Sequence, residues 1–146
     1  MDACGFISDG YSEPIFLAGK PGFYPPVRGE MRPALGEELD RYNADADKLK
    51  GPELRRHAAK FMAAHLASWD LKDAKGEAVA VGIPNLLRCK DALFLDLVAV
   101  MLGSKASDID PRWTEAEKQQ QREDEEAAAA EGMSLAEYRE RRDRKN

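Results

Sequence analysis

The strongest constraint on the fold is a nearly unbroken apolar run over residues 92–102, in which Asp96 is the one charged residue. A membrane-spanning helix needs about 20 apolar residues, so this run is too short to cross a bilayer. A helix that is apolar on nearly every side is buried in the interior of a protein. We therefore predict a helix over 91–102 at the centre of the fold.

Two amphipathic helices are predicted upstream of this run. Over 33–49 the apolar residues recur at steps of four, three, four and three, which places them on one helical face. A Gly that can end a helix and a Pro that can begin one follow at Gly51 and Pro52, and a second helix is predicted over 52–68. So short a turn favours an antiparallel helical hairpin. After it we expect a corner at Trp69-Asp70 and a polar turn.

The N-terminal part of the chain is rich in Gly, Pro and aromatic residues. Two short runs, 14–18 and 27–31, predict a β-hairpin or a pair of extended arms. Pro25 and Pro26 have no backbone donor, so this part is expected to form a sheet edge that is open to another chain.

The C-terminal part is predicted to form two helices, about 115–131 and 135–144, separated at Gly132. The first has almost no large apolar residue. Helix propensity and charge pairs would therefore stabilise it, and it could project from the domain.

Length and composition fit one domain, because 146 residues with 43% apolar content can form a single core. The predicted fold class is mainly α. It consists of a compact helical core domain over 32–111, an N-terminal arm or β-hairpin over 1–31, and a projecting, charged helical tail over 112–146.

The charge balance limits the classes of partner. The net charge is -5 and 34% of the residues are charged, which disfavours attraction to nucleic acid or to an anionic membrane. The first residues lack the basic and apolar segments of a signal peptide, so the expected location is the cytoplasm. In that compartment Cys4 and Cys89 are predicted to be free thiols.

No motif for catalysis, metal binding or cofactor binding is recognised. His57 and His65 are two helical turns apart, too far for a helical zinc pair. Asp96 could be a buried acid with a raised pKa, but a position at the rim, or pairing with an Arg or His, is the favoured alternative. We predict a protein that is not an enzyme and uses no cofactor and no metal.

Five residues are candidates for partner binding because they lie on the predicted arm, corner and tail: Phe16, Val27, Trp69, Leu135 and Tyr138. Trp69 has two interpretations, an exposed recognition residue or a side chain that closes the core, and burial is favoured. The mixed charges over 138–145 favour a solvated helix end over a nucleic-acid site.

Residues 31–111 resemble the tail assembly chaperones of tailed phages and prophages. The resemblance lies in MRPAL at 31–35, SWDL at 68–71, GEAV at 76–79, NLL at 85–87, LG at 102–103 and SDIDP at 107–111. It implies a protein that binds and solubilises the tape-measure protein, helps to recruit tail-tube subunits and is absent from the mature virion. Self-association is possible. The alternatives are a head-tail connector, or another structural protein of phage morphogenesis, and a regulator that binds nucleic acid through the C-terminal helix.

Overall fold

The computed structural model describes residues 5–145. Their elements, in chain order, are β1 (Glu13–Leu17), β2 (Val27–Met31), α1 (Gly36–Ala46), α2 (Pro52–His65), β3 (Leu66–Trp69), α3 (Ile83–Leu86), α4 (Asp91–Met101), α5 (Glu115–Ala130) and α6 (Leu135–Lys145). No helix in this part of the chain is both long enough and apolar enough to span a membrane.

The fold is mixed α/β, with 46% helix and 13% strand, so the prediction of a mainly α fold is wrong. The predicted N-terminal hairpin is confirmed as β1 and β2, which join β3 in an antiparallel sheet of order β1-β2-β3. The unexpected strand is β3, whose first three residues were predicted to end the second helix and whose last, Trp69, was predicted to form a corner. That helix stops at His65, whose carbonyl accepts a hydrogen bond from the Arg32 N–H at 2.7 Å. Pairing with β2 therefore overrides the helical preference of the local sequence.

The sheet is tightly packed where β2 and β3 meet. A bulge between Glu30 and Met31 shifts the register, so that Glu30 pairs with Ser68 and Met31 with Leu66. A Cβ atom at Gly29 would lie 2.5 Å from the Ser68 carbonyl oxygen. Only glycine allows the two backbones to approach so closely at this position.

The two faces of the hairpin have different neighbours. Ile15, Leu17, Val27 and Met31 point into the main core, which they share with apolar residues of α2 and α4. Phe16 is also buried, but it lies outside that core, with the Arg28 guanidinium 4.8 Å from its ring centroid.

Helix α4 is buried or partly buried over most of its surface. Leu93, Phe94, Leu97, Val100 and Met101 are in the core. Leu95, in contrast, is 60% exposed, so the helix is covered on most sides, as its apolar sequence predicted, but not at this residue.

The C-terminal helices dock against the domain, so the predicted projecting tail is wrong. Gln121, Asp124 and Ala128 of α5 are buried. A Cβ atom at Gly103, just after α4, would lie 2.3 Å from the Ala136 Cβ of α6. The sequence argument looked for large apolar residues, whereas this contact also includes small residues and buried polar ones.

Candidate functional site

The side of α4 that includes Leu95 carries a row of apolar residues. Ala92, Leu95, Ala99 and Leu102 follow one another at steps of three or four, which places them on one helical face, and Val98 lies beside them. Leu95 is the one exposed member; the others are partly buried, and Ala92, Val98 and Leu102 also pack against the core. We call these five residues the apolar stripe.

The loop between β1 and β2 is fixed beside this stripe. The Tyr24 hydroxyl donates a hydrogen bond to Asp96 Oδ2 at 2.6 Å, and Lys20 Nζ lies 3.0 Å from the same oxygen. Phe23, next to Tyr24, is 59% exposed. Phe23 and Leu95 precede Tyr24 and Asp96 in the chain, and both of these large apolar side chains are mostly exposed.

A tight turn makes this arrangement possible. Gly19 has a φ angle of 89°, and a Cβ atom there would lie 2.9 Å from the carbonyl carbon of Pro25. A side chain at this position would meet both a strained backbone angle and a steric clash. Residues 20–25 consequently fold back on themselves and surround an open depression of about 340 Å³.

Asp96 does not have the raised pKa that acid catalysis would require. Burial favours its protonated form, but hydrogen bonds from Tyr24 and Lys20 and the nearby Lys105 cation outweigh that effect and hold the pKa below its usual value. Burial and the same hydrogen bond raise the pKa of Tyr24. The favoured alternative, a paired carboxylate, therefore describes Asp96, although its partners are lysines and a tyrosine and not the Arg or His that was expected.

A second carboxylate joins the hairpin to the segment after α4. Asp110 is 5% exposed and accepts two hydrogen bonds from Arg28, from Nε at 2.8 Å and from Nη2 at 3.2 Å. Burial would raise the pKa of Asp110, but the Arg28 guanidinium and the backbone N–H of Arg112 hold it below the usual value. The sequence indicated no partner for this residue.

Stability is expected to depend on Asp110 at acid pH. A carboxyl whose pKa is lowered by folding stabilises the protein above its unfolded pKa of about 3.9, and this contribution is lost as the pH falls through the folded pKa. The free energy of unfolding of the wild type should therefore decrease from about pH 5 downwards. In Asp110→Asn the decrease should be shallower, with a residual slope from Asp96, as measured by urea unfolding at several pH values. An identical slope in both proteins would contradict this.

A third carboxylate links α5 to α6. The Asp124 side chain is 3% exposed and lies 2.9 Å from both Arg139 Nη2 and Arg142 Nη1. Gln120 Nε2 donates a further hydrogen bond to it at 2.9 Å. We call Asp124 with Arg139 and Arg142 the carboxylate clamp. It joins the two helices through charge pairs.

The two histidines and Cys89, which were considered for metal or thiol chemistry, pack against other parts of the fold. His57 stacks on Tyr42, with ring centroids 4.5 Å apart, and His65 Nδ1 lies 3.0 Å from the Arg32 carbonyl oxygen. Residues 5–145 contain no group of His, Cys, Asp and Glu that could hold a metal ion. Cys89 is a free thiol whose pKa is raised by burial, and Cys4 lies outside the described residues.

The structure separates the five predicted partner-binding residues. Phe16 and Val27 are each 4% exposed, so a partner could reach them only if their surroundings moved. Trp69 lies on β3, packs against the core and donates from Nε1 to the Val79 carbonyl oxygen at 2.6 Å. Leu135 and Tyr138 are on α6, both partly exposed, and the Arg142 guanidinium lies 5.6 Å from the Tyr138 ring centroid.

One groove brings Leu135 together with the segment after α4. Its walls are the loop 104–108 on one side and the facing parts of α5 and α6 on the other, and its volume is about 400 Å³. The sequence analysis missed this groove, the apolar stripe and the carboxylate clamp. Only the clamp had any local signal, in the alternating charges of the last two helices.

Comparison with known proteins gives no relative. No protein family, no curated protein and no solved structure matches this chain.

Proposed function

We propose that this protein is a tail assembly chaperone of a tailed phage or prophage, which works in the cytoplasm of the host bacterium. It binds helical segments of the tape-measure protein, keeps them soluble and helps to recruit tail-tube subunits. It acts by binding and not by catalysis. The proposal combines the resemblance over residues 31–111 with one structural observation, the apolar stripe of α4.

The apolar stripe supports the proposal because it suits a helical partner. Apolar side chains spaced by three and four residues, here the exposed Leu95 with its partly buried neighbours, can pack against the apolar face of an amphipathic helix. Phe23, which precedes Tyr24 in the chain, is another large apolar side chain that is mostly exposed, at 59%.

The three carboxylates described above also favour binding over chemistry. Asp96, Asp110 and Asp124 each have cationic partners within 3.0 Å, and each joins two separate parts of the chain. Their bonds keep the hairpin, α4 and the C-terminal helices in fixed positions. A rigid support of this kind limits the entropy that an exposed binding surface loses when a partner docks.

The proposal is tested by co-expression with the long tail protein encoded in the same phage or prophage genome. Wild-type protein should raise the soluble fraction of that partner and co-purify with it. In Leu95→Gln, we expect binding to weaken by about tenfold or more, since a buried Leu contributes about 1.5–3 kcal/mol to an interface.

Leu54→Gln is the matched control, because Leu54 is 36% exposed and lies on α2, outside the stripe. It should bind like the wild type. Equal loss in both variants would argue against the stripe as the binding surface. Failure of the wild type to solubilise or capture the tail protein would overturn the chaperone proposal, and a stoichiometric amount in purified mature particles would favour the head-tail connector.

A further inference from the structure

The outer edge of β1 is covered by two residues that follow α4. The Phe16 N–H donates to Ser107 Oγ at 2.8 Å, and the Asp108 N–H donates to the Phe16 carbonyl oxygen at 2.9 Å. The Ala18 N–H donates to Asp108 Oδ2 at 2.8 Å. Pro14, the remaining residue that faces this edge, has no N–H group. Ser107 and Asp108 therefore make the hydrogen bonds to this edge that a neighbouring strand would otherwise make.

This cover is connected to the C-terminal helices. Gln121 of α5 is 1% exposed, and its Nε2 donates to the Ser107 carbonyl oxygen at 3.0 Å. Arg139 of α6 donates to the Gln121 side-chain oxygen at 3.2 Å and also belongs to the carboxylate clamp. A continuous chain of polar contacts thus runs from the clamp to the edge of β1.

We propose that residues 107–108 are a latch, that α5 and α6 hold it closed, and that the opened edge of β1 pairs with the same edge of a second copy of this chain. The sequence predicted an edge that is open to another chain, whereas the structure has this edge closed. The inference is independent of the chaperone proposal, because it concerns self-association and a different surface.

A second copy fits this edge because antiparallel pairing about Phe16 is self-complementary. With the two-fold axis at Phe16, the two Phe16 residues would exchange both N–H···O bonds, and each Ala18 N–H would donate to the Pro14 carbonyl oxygen opposite. The two Phe16 rings would form a cross-strand aromatic pair. Lys20 would lie opposite Ser12, so no like charges oppose each other in this register.

Hydrogen exchange of the full-length wild type tests the latch. Since the Phe16 and Ala18 N–H groups point outwards, those of Ile15 and Leu17 point towards β2. Opening of the latch exposes the first pair and leaves the second protected. We expect Phe16 and Ala18 to exchange at least about tenfold faster than Ile15 and Leu17.

Gln121→Ala should increase the difference in exchange rate between the two pairs of amides, because it removes the hydrogen bond to the Ser107 carbonyl oxygen. Gln119→Ala is the matched control, since Gln119 is exposed on the same helix and bonds to Glu123 within it. It should leave all four rates unchanged. Equal rates for the four amides in the wild type, or no specific effect of Gln121→Ala, would mean that residues 107–108 are a fixed cover and would overturn the latch.

The double variant Ser107→Ala/Asp108→Ala tests the partner, because it removes the two side-chain acceptors from the edge. Sedimentation equilibrium should detect a dimer at concentrations where the wild type is monomeric. Phe16 and Ala18 should exchange fast in dilute samples and become protected as the concentration rises. A monomer at every concentration, or a dimer in which these two amides still exchange fast, would overturn self-pairing through β1.

Discussion

Asp124→Ala is expected to lower the free energy of unfolding by about 3 kcal/mol, at the lower end of the range for breaking a buried ion pair. The substitution leaves Arg139 and Arg142 facing a space that held their carboxylate. Their side chains are 25% and 24% exposed, so both can turn partly towards water, which places the expected loss at that lower end. Urea unfolding followed by circular dichroism measures the difference.

Glu126→Ala is the control for Asp124→Ala. Glu126 lies on the same helix and is exposed, so the loss of its carboxylate should change the free energy of unfolding by less than about 0.5 kcal/mol. Alanine has a high helix propensity, which works against destabilisation in both variants. Equal stability of the two variants would mean that α5 and α6 do not depend on the clamp.

The helices that were predicted well have local signals. The spacing of Leu39, Tyr42 and Ala46 located α1, and Pro52 marked the start of α2. The C-terminal pair was predicted to within one or two residues, because Thr114 and Ser134 cap it as expected. Their hydroxyl groups accept hydrogen bonds from the N–H groups three residues ahead, each at 3.2 Å. These patterns need only a few consecutive residues, which a sequence shows directly.

The errors concern contacts between distant parts of the chain. Strand β3 exists because Leu66–Trp69 pairs with β2, and its own four residues carry no clear strand pattern. The contacts of α5 include a charge pair with α6 and a hydrogen bond from Gln121 to the Ser107 carbonyl oxygen. Apolar periodicity, the main guide to packing in a sequence, contains no information about such polar contacts.

The candidate site could be predicted only in part from the sequence. Asp96 was recognised as unusual, but the sign of its pKa shift depends on Tyr24 and Lys20, which are distant in the chain. The apolar stripe could not be located because α4 has apolar residues on all sides. Which side of α4 faces the core is determined by tertiary packing.

Leu97→Ala and Leu95→Ala test directly which side of α4 faces the core. Leu97 is 1% exposed and Leu95 is 60% exposed, although only one residue separates them on α4. Leu97→Ala should lower the free energy of unfolding by about 2–5 kcal/mol, since it removes buried atoms and leaves a cavity. Leu95→Ala should change it by less than about 0.5 kcal/mol.

The comparison is informative because both variants lose the same atoms from the same helix, so differences in helix propensity cancel. Urea unfolding of the purified variants at low protein concentration gives both values. A large loss in Leu95→Ala would mean that Leu95 is covered in solution, and the apolar stripe would then be part of the core or of an interface between copies. A small loss there, with a large loss in Leu97→Ala, would leave Leu95 free to contact a partner, which the chaperone proposal requires.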